Sequence, residues 1–291
     1  MDLDCSNAED FVDALTDNKY RAHHQWLFRG VKNASFALVP ASHRRDPPYP
    51  FRKLPATFAD QISEEFHALY RFREAAYREG LTIPKWDDTR EYLQQVKERL
   101  GRTSRQSALI RHWPSPYILD LLAIAQHYGT PTRLLDWTWD ALTAAYFAVP
   151  IVEDDLSHPI AVWVLDTTQR VVTDFQGELV SLQDARPPQI IEIPYDVNKN
   201  ARAQRGVLLN HLPASSLDPA DLDQPLPAPT PFDEFLRSLK AGHALTKVTL
   251  PGSEAPALLR ELHYCRVDGA TLFPGYLGAS RAERERMWWD K

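Results

Sequence analysis

The side chains best suited to chemistry are concentrated in residues 123–149, near the middle of the sequence. This stretch, AIAQHYGTPTRLLDWTWDALTAAYFAV, places polar groups between two apolar segments with helical spacing. The polar residues are Gln126, His127, Tyr128, Thr130, Thr132, Arg133, Asp136 and Thr138. Gly129 permits unusual backbone angles, and Pro131 favours extended geometry at Thr130. Because buried polar groups need partners, the turn is either a functional site or a structural corner whose groups satisfy one another.

A second candidate is Arg29, which follows the apolar residues Trp26, Leu27 and Phe28 in a predicted buried strand over residues 25–30. A guanidinium at the end of such a strand costs free energy unless it holds an anion. The alternative is an arginine that is simply exposed where the strand leaves the core. Arg29 is therefore a candidate anion-binding residue.

Three ionisable residues of the central stretch each allow two roles. We expect Arg133 to be structural, held by Asp136 or by backbone carbonyls, while Arg29 remains available to a ligand. Asp136 is either that ion-pair partner or a functional carboxylate. His127 could shuttle a proton, with an unperturbed pKa of ~6.5, or bond a nearby carbonyl at a helix end.

Other charged residues are expected to be solvated. Glu64 and Glu65 lie within a predicted helix and are assigned to its exposed face. A basic segment comprises Arg99, Arg102, Arg105, Arg111 and His112. It is typical of a solvated face, although it could also line a path for phosphates.

The elements that position these residues follow from hydrophobic periodicity. Ser6 and Glu9 have capping-box spacing and predict a short first helix. Further helices are predicted over residues 56–78, 89–100, 118–124, 141–149, 232–239, 253–264 and 281–291, and strands over 25–30, 160–165, 171–172, 189–193, 207–209 and 244–250. A proline-rich, acidic surface loop is predicted at 213–231. Since neither half has enough strands to close a sheet, we predict one α+β domain over residues 1–291, with a mixed sheet surrounded by helices.

Bulk properties exclude some classes of protein. A net charge of −6 and a pI near 5.9 argue against a protein that mainly coats nucleic acid, although a local basic groove remains open. Cys5 and Cys265 form neither a disulfide framework nor a metal-ligand spacing. No leader and no apolar run of membrane length is visible, so we expect a cytoplasmic protein without a membrane partner.

Five motifs together resemble the FRG domain, which is found in bacterial and phage proteins. They are Phe28-Arg29-Gly30, AQHYGTPTRLLDWT, AAYFA, Arg202-Ala203-Gln204-Arg205-Gly206 and Thr271-Leu272-Phe273-Pro274. The resemblance covers residues 20 to 280 approximately. One departure is Leu208, which stands where the family pattern often has an aromatic residue.

The order of elements also resembles that of the ADP-ribosyltransferases. The resemblance implies that Arg29 and Gly30 grip NAD, which is a substrate, and that no metal is needed. Trp137 or Tyr146 would stack on nicotinamide, Thr138 would hold the ring or ribose, and Gln204 would contact a ribose hydroxyl. Because Gln204 has no charge, the anionic role would fall to Asp136 or to a glutamate such as Glu192. The implied catalytic residues are Arg29, His127, Asp136, Thr138 and Gln204.

The leading hypothesis is an NAD-dependent ADP-ribosyltransferase-like toxin or anti-phage effector that modifies an intracellular protein or nucleic acid. A neutralising antitoxin protein is a possible partner. The alternative is a non-catalytic FRG binding module that recognises a nucleotide or a protein. A hydrolase or nuclease using His127 and Asp136 is disfavoured, since no further metal ligands accompany them. We expect Arg29, His127, Asp136, Thr138 and Gln204 to line one pocket, and a carboxylate converging with Arg29 and Thr138 would favour catalysis.

Overall fold

A computed structural model describes residues 2–21, 25–100, 113–150, 156–169, 173–174, 188–193, 195, 198–211 and 223–289. Three predictions concern residues outside this part of the chain. They are the basic segment at Arg102, Arg105, Arg111 and His112, the strand at Val171 and Val172, and the proline-rich loop up to residue 222.

The described strands join one mixed eight-stranded sheet, in the order β1-β8-β4-β2-β3-β7-β6-β5. The strands are β1 Leu3–Asp4, β2 Trp26–Val31, β3 Leu135–Thr138, β4 Ile160–Asp166, β5 Thr173–Asp174, β6 Gln189–Glu192, β7 Gly206–Asn210 and β8 Leu245–Leu250. The pairs β1/β8 and β5/β6 are parallel, and the remaining pairs are antiparallel. The predicted fold class, a mixed sheet with surrounding helices, is confirmed.

Ten α-helices lie in the described ranges. They are α1 Ala8–Thr16, α2 Phe58–Arg78, α3 Trp86–Leu100, α4 Leu119–His127, α5 Ala141–Ala148, α6 Lys199–Ala203, α7 Phe232–Ser238, α8 Ala255–Tyr264, α9 Gly269–Leu272 and α10 Tyr276–Trp289. None of these helices is both long enough and apolar enough to cross a bilayer.

Helix ends differ from prediction where capping was misread. The N-cap of α1 is Asn7 rather than Ser6, because the Asn7 side chain accepts a hydrogen bond from the backbone N–H of Asp10. Helix α2 begins two residues later than predicted, where Thr57 and Asp60 form a capping box. In each case the side chain that satisfies a free backbone N–H sets the first residue of the helix.

Strand β4 lies inside the sheet and carries the core on both faces, as its continuous apolar run predicts. Val162 and Val164 pack into a cluster with α1, α5 and α8 on one face. Ala161 and Leu165 pack with α7 on the other. β4 forms six register pairs with β2 and six with β8, so it is paired along both of its edges.

Helix α5 lies against β2 because Gly30 has no side chain. A Cβ at Gly30 would lie 2.0 Å from the carbonyl oxygen of Ala144 and 2.5 Å from the amide nitrogen of Ala148. Both alanines are buried, and larger residues there would also hold the helix away from the strand. The FRG and AAYFA motifs are therefore the two sides of one close helix–strand contact.

The sheet opens between β2 and β3. A single register pair, Phe28 with Thr138, joins these strands. Beyond it β2 follows β4, while β3 follows β7 through four register pairs. The result is two four-stranded halves that diverge from a shared point, with the polar residues of both strands at the opening.

We predict that Gly30→Ala lowers stability by about 1–3 kcal/mol or more, because the added methyl group meets helix backbone that cannot rotate away. Gly206→Ala is the matched control, since its Cβ would meet its nearest neighbour, Ile193 Cδ1, at 3.4 Å. Urea unfolding of the two variants measures the difference. Equal stabilities would show that α5 does not need the close approach at Gly30.

Candidate functional site

The opening between β2 and β3 contains a cavity of about 510 Å³, which we call the cleft. Seven of the eight residues expected to act in catalysis or NAD binding line it: Arg29, Gly30, His127, Asp136, Trp137, Thr138 and Gln204. They come from both diverging strands, from the end of α4 and from the residue after α6. Residues separated by up to 175 positions (204 − 29) are thus brought to one concave surface.

Arg29 and Asp136 meet across the opening. The Nη1 group of Arg29 donates a hydrogen bond to the backbone carbonyl of Asp136 and lies 3.8 Å from its carboxylate Oδ2. The other oxygen, Oδ1, accepts a hydrogen bond from Gln126 Nε2 at 2.6 Å. The Asp136 side chain is 69% exposed, whereas that of Arg29 is only 15% exposed. The carboxylate is therefore accessible, and the guanidinium is inside the protein.

Arg29 has one N–H donor that is not used within the described part of the protein. Its Nε atom is buried and has no hydrogen-bond partner among the described residues. Burial lowers the pKa of Arg29 from its usual value, Asp136 opposes this effect, and nearby Arg44 adds to it. Arg44 and Lys32 line the same cleft, where Asp136 is the one carboxylate among the described lining residues. Three cations facing one carboxylate favour an anionic ligand.

Thr138 and Gln204 are held by bonds within the protein. The Thr138 hydroxyl donates to the Gln204 carbonyl at 2.7 Å and accepts from the Asp140 N–H at 3.0 Å. The Gln204 side-chain amide donates to the Leu272 carbonyl at 3.1 Å. A hydroxyl has one donor and two acceptor positions, so Thr138 keeps one lone pair for a ligand. Thr138 thus connects β3 to the residue that follows α6, and Gln204 connects that residue to the end of α9.

His127 is neutral at pH 7. Its Nε2 atom lies 3.3 Å from Asn200 Nδ2, an amide donor, so Nε2 acts as the acceptor. Burial lowers the pKa of His127, and the charge of Asp136 only partly offsets this effect. The neighbour of Nε2 is thus a side chain, that of Asn200, and the two roles considered for His127 stay open.

Three residues that were expected to contact NAD also have structural roles. Gly30 is required for the close approach of α5. Trp137 lines the cleft, but it is only 3% exposed and its indole packs edge-on against Phe232. Tyr146 is buried outside the cleft and donates to Glu285, and burial raises the pKa of its hydroxyl. The structure corrects the assignment of Tyr146, while the NAD contacts expected of Gly30 and Trp137 stay predictions.

Besides Trp137 and Phe28, the aromatic residues Phe36, Phe147 and Phe273 line the cleft. Phe147 and Phe273 contact each other edge-to-face, with ring centroids 6.0 Å apart. Phe147 directly follows Tyr146 in AAYFA, and Phe273 belongs to the last FRG-like motif. Sequence reasoning also overlooked Lys32 and Arg44, although Lys32 stands only three residues after Arg29. Glu192, the second carboxylate considered, is exposed and does not line the cleft.

Arg133 is structural, but its partner is Glu65 and not Asp136. Arg133 Nε donates to Glu65 Oε2 at 2.7 Å, and both side chains are buried. Glu65 was expected on a solvated face of α2, and this prediction is wrong. Burial raises the pKa of Glu65, but the charge of Arg133 and the hydrogen bonds from Arg133 and Gln61 lower it by more, so the carboxylate stays ionised.

Glu65 collects hydrogen bonds from four separate segments. Besides Arg133, its donors are Ser42 Oγ and Gln61 Nε2, each at 2.8 Å, and Trp113 Nε1, also at 2.8 Å. The backbone N–H of Ser42 donates in turn to the Thr132 carbonyl at 3.0 Å. This network holds the segment that carries Arg44 against the turn that precedes β3.

Comparison with known protein families matches residues 24–155 to the FRG domain. This part of the chain is therefore similar to the FRG domain, as its motifs predict. The match includes Arg29, the central motif and α5, and it ends before Gln204 and Phe273. No curated protein and no solved structure matches the chain significantly.

We predict that Glu65→Gln lowers stability by about 3–5 kcal/mol, because it leaves Arg133 buried without its counter-charge. The control is Arg205→Met, which removes an ion pair with Asp140 from an arginine that is 62% exposed. Exposed pairs contribute about 0–1 kcal/mol. Chemical unfolding at pH 7 compares them, and similar losses would contradict the role assigned to Glu65.

His43 should make stability depend on pH. Burial lowers its pKa to about 4, with Glu65 opposing the shift. Between that value and the unfolded pKa of ~6.5, the unfolded chain binds more protons, so stability falls as pH falls. From pH 7 to pH 5 the wild type should lose about 2 kcal/mol more than His43→Gln. Parallel losses in urea unfolding would show that His43 is not held neutral.

Proposed function

We propose that the cleft binds NAD as a substrate and transfers ADP-ribose to an intracellular protein or nucleic acid, as a toxin or an anti-phage effector would. The observation that carries the proposal is the pairing of a buried, incompletely bonded Arg29 with the exposed Asp136 carboxylate on the neighbouring strand. A cation for a diphosphate and an anion for a developing ribose cation then stand side by side. The proposal includes a neutralising antitoxin protein as a possible partner.

The cations of the cleft suit a diphosphate. A guanidinium can offer two parallel N–H groups to phosphate oxygens, and Arg29 has an unused one at Nε. Arg44 lies close enough to Arg29 to lower its pKa, so a bound anion would relieve the repulsion between them. The cleft volume of about 510 Å³ falls within the range of about 300–1,000 Å³ typical of small-molecule sites.

The reaction would place nicotinamide beside Phe147 and Phe273, with its ribose near Asp136. When the C1′–N bond breaks, its electron pair goes to the nicotinamide nitrogen and C1′ becomes cationic. The Asp136 carboxylate would stabilise this cation, as carboxylates do in glycoside cleavage. A nucleophilic oxygen or nitrogen of the acceptor then bonds to C1′, and its proton passes to Asp136 or to water. The exposure of Asp136 leaves room for a macromolecular acceptor.

Binding must first separate Asp136 from Arg29. The carboxylate lies 3.8 Å from the guanidinium and competes with phosphate oxygens for it. Its exposure allows it to turn toward solvent when the diphosphate enters. Asp136 therefore opposes binding of the ground state and favours the transition state, and these two effects can be measured separately.

A binding module remains the second candidate, and a specific observation favours it. The Thr138 hydroxyl and the Gln204 amide, both expected to contact ribose, already bond Gln204 and Leu272 carbonyls. Such a cleft could recognise a nucleotide, or a partner protein, through Arg29 and its neighbouring cations without turning it over. The two candidates agree on an anionic ligand and differ on release of nicotinamide.

Saturating NAD should stabilise the wild type by about 2.7 kcal/mol at 100 times the dissociation constant. Arg29→Met should abolish this effect, while Asp136→Asn should bind NAD as tightly or more tightly and release no nicotinamide. Arg260→Met changes an exposed arginine of α8 and is the matched control. Thermal shift and nicotinamide release, with cellular protein and RNA present, are the measurements.

The outcomes separate the two candidates. Stabilisation by NAD without nicotinamide release from the wild type would leave the binding module as the function. Release that survives in Asp136→Asn would remove that carboxylate from the reaction. If NAD neither stabilises the wild type nor releases nicotinamide, the enzyme proposal is overturned.

A further inference from the structure

A second cavity of about 610 Å³ lies beside the cleft. Its walls include Trp163 of β4, Lys247 of β8 and Glu234 of α7. Phe36 and Ala37, in the segment after β2, line both cavities. A two-residue partition thus separates the two spaces.

A row of side chains on one face of the sheet connects the cavities. Arg29 pairs with Trp163 across β2 and β4, and Trp163 pairs with Lys247 across β4 and β8. Residues directly opposite each other in antiparallel strands project to the same face. With strands ~4.8 Å apart, Lys247 lies ~10 Å from Arg29 along the row. One extended ligand could contact both.

The chemistry of the second cavity differs from that of the cleft. The Trp163 indole is 8% exposed, and its Nε1 donor is buried without a partner among the described residues. The Lys247 ammonium lies 4.8 Å from the centre of that ring and donates to the Ala34 carbonyl at 3.3 Å. Phe36 is 56% exposed at the partition, where it can stack on a flat ring.

The charges of the second cavity do not favour a strong anion. Asp233 and Arg237 form an ion pair with each other, and Asp2 and Glu234 add two further carboxylates to the cavity that Lys247 lines. A carboxylate is a suitable acceptor for ribose hydroxyls. An unused indole donor, an exposed aromatic ring and a carboxylate together suit a neutral, flat group that carries hydroxyls, which describes a nucleoside.

We propose that the second cavity binds the adenosine half of the dinucleotide, with Phe36 against the adenine and Glu234 on its ribose. The inference rests on the proposed function of the cleft. The strand order β3-β2-β4-β8 then matches the order of the ligand: nicotinamide ribose at Asp136, diphosphate at Arg29, and adenosine over Trp163 and Lys247.

The test compares two ligands by calorimetry: ADP-ribose, which contains adenosine, and nicotinamide mononucleotide, which does not. Lys247→Met and Glu234→Gln should each lower the affinity for ADP-ribose by about tenfold, as expected for loss of a hydrogen bond to a charged group. Neither should change the affinity for nicotinamide mononucleotide by more than about twofold. Lys53→Met, at an exposed position that lines neither cavity, is the control.

Each outcome is decisive. Unchanged ADP-ribose affinity in both variants would place adenosine elsewhere and overturn the inference, while the function of the cleft would stand. An equal loss of affinity for both ligands would show an indirect effect through Arg29 and would also overturn the inference. A wild type that binds neither ligand would overturn the proposed function and the inference with it.

Discussion

The buried carboxylate of Glu65 is the constraint on which the cleft depends. An ionised carboxylate in the interior is tolerated only when several donors surround it, and here the donors come from four places in the chain. If the segment that carries Arg133 moved away, the buried carboxylate would lose its guanidinium partner. Arg133 is one of the donors, and β3 begins two residues later at Leu135. The location of Asp136 is therefore set by a residue 71 positions earlier (136 − 65).

The opposite wall of the cleft is set by packing instead of charge. Strand β2 is held between β4 and the backbone of α5, which Gly30 allows to approach. Arg29 thus sits on a rigid strand, and its neighbour Asp136 sits on another strand fixed by an independent network. A single register pair joins the two strands. The site is open because each wall is stabilised from behind, so the strands need not pair across it.

Sequence patterns predicted the longer elements well, but they missed the short strands β1 and β3 and predicted side-chain partners poorly. The apolar run of β4 identifies a strand because burial on both faces leaves a continuous signal. Glu65 could not be recognised, since a buried glutamate and a solvated one look alike on a helix when the partner is 68 residues away. The sequence also does not show whether Tyr146 or Phe147 faces the cleft, because adjacent residues of a helix point about 100° apart. The residue that reaches the cleft depends on how α5 docks.

The match to the FRG domain includes Arg29 and Asp136, but it does not include the strands that pair with β2 and β3 on their outer sides. It ends at residue 155, whereas β4, the partner of β2, begins at Ile160, and β7, the partner of β3, begins at Gly206. The matched segment alone would leave one edge of each of these strands unpaired beside an exposed core. The later strands therefore complete the cleft, and they also bring Trp163 and Lys247 beside it. The residues that hold an anion and those that would distinguish one ligand from another thus come from different parts of one sheet.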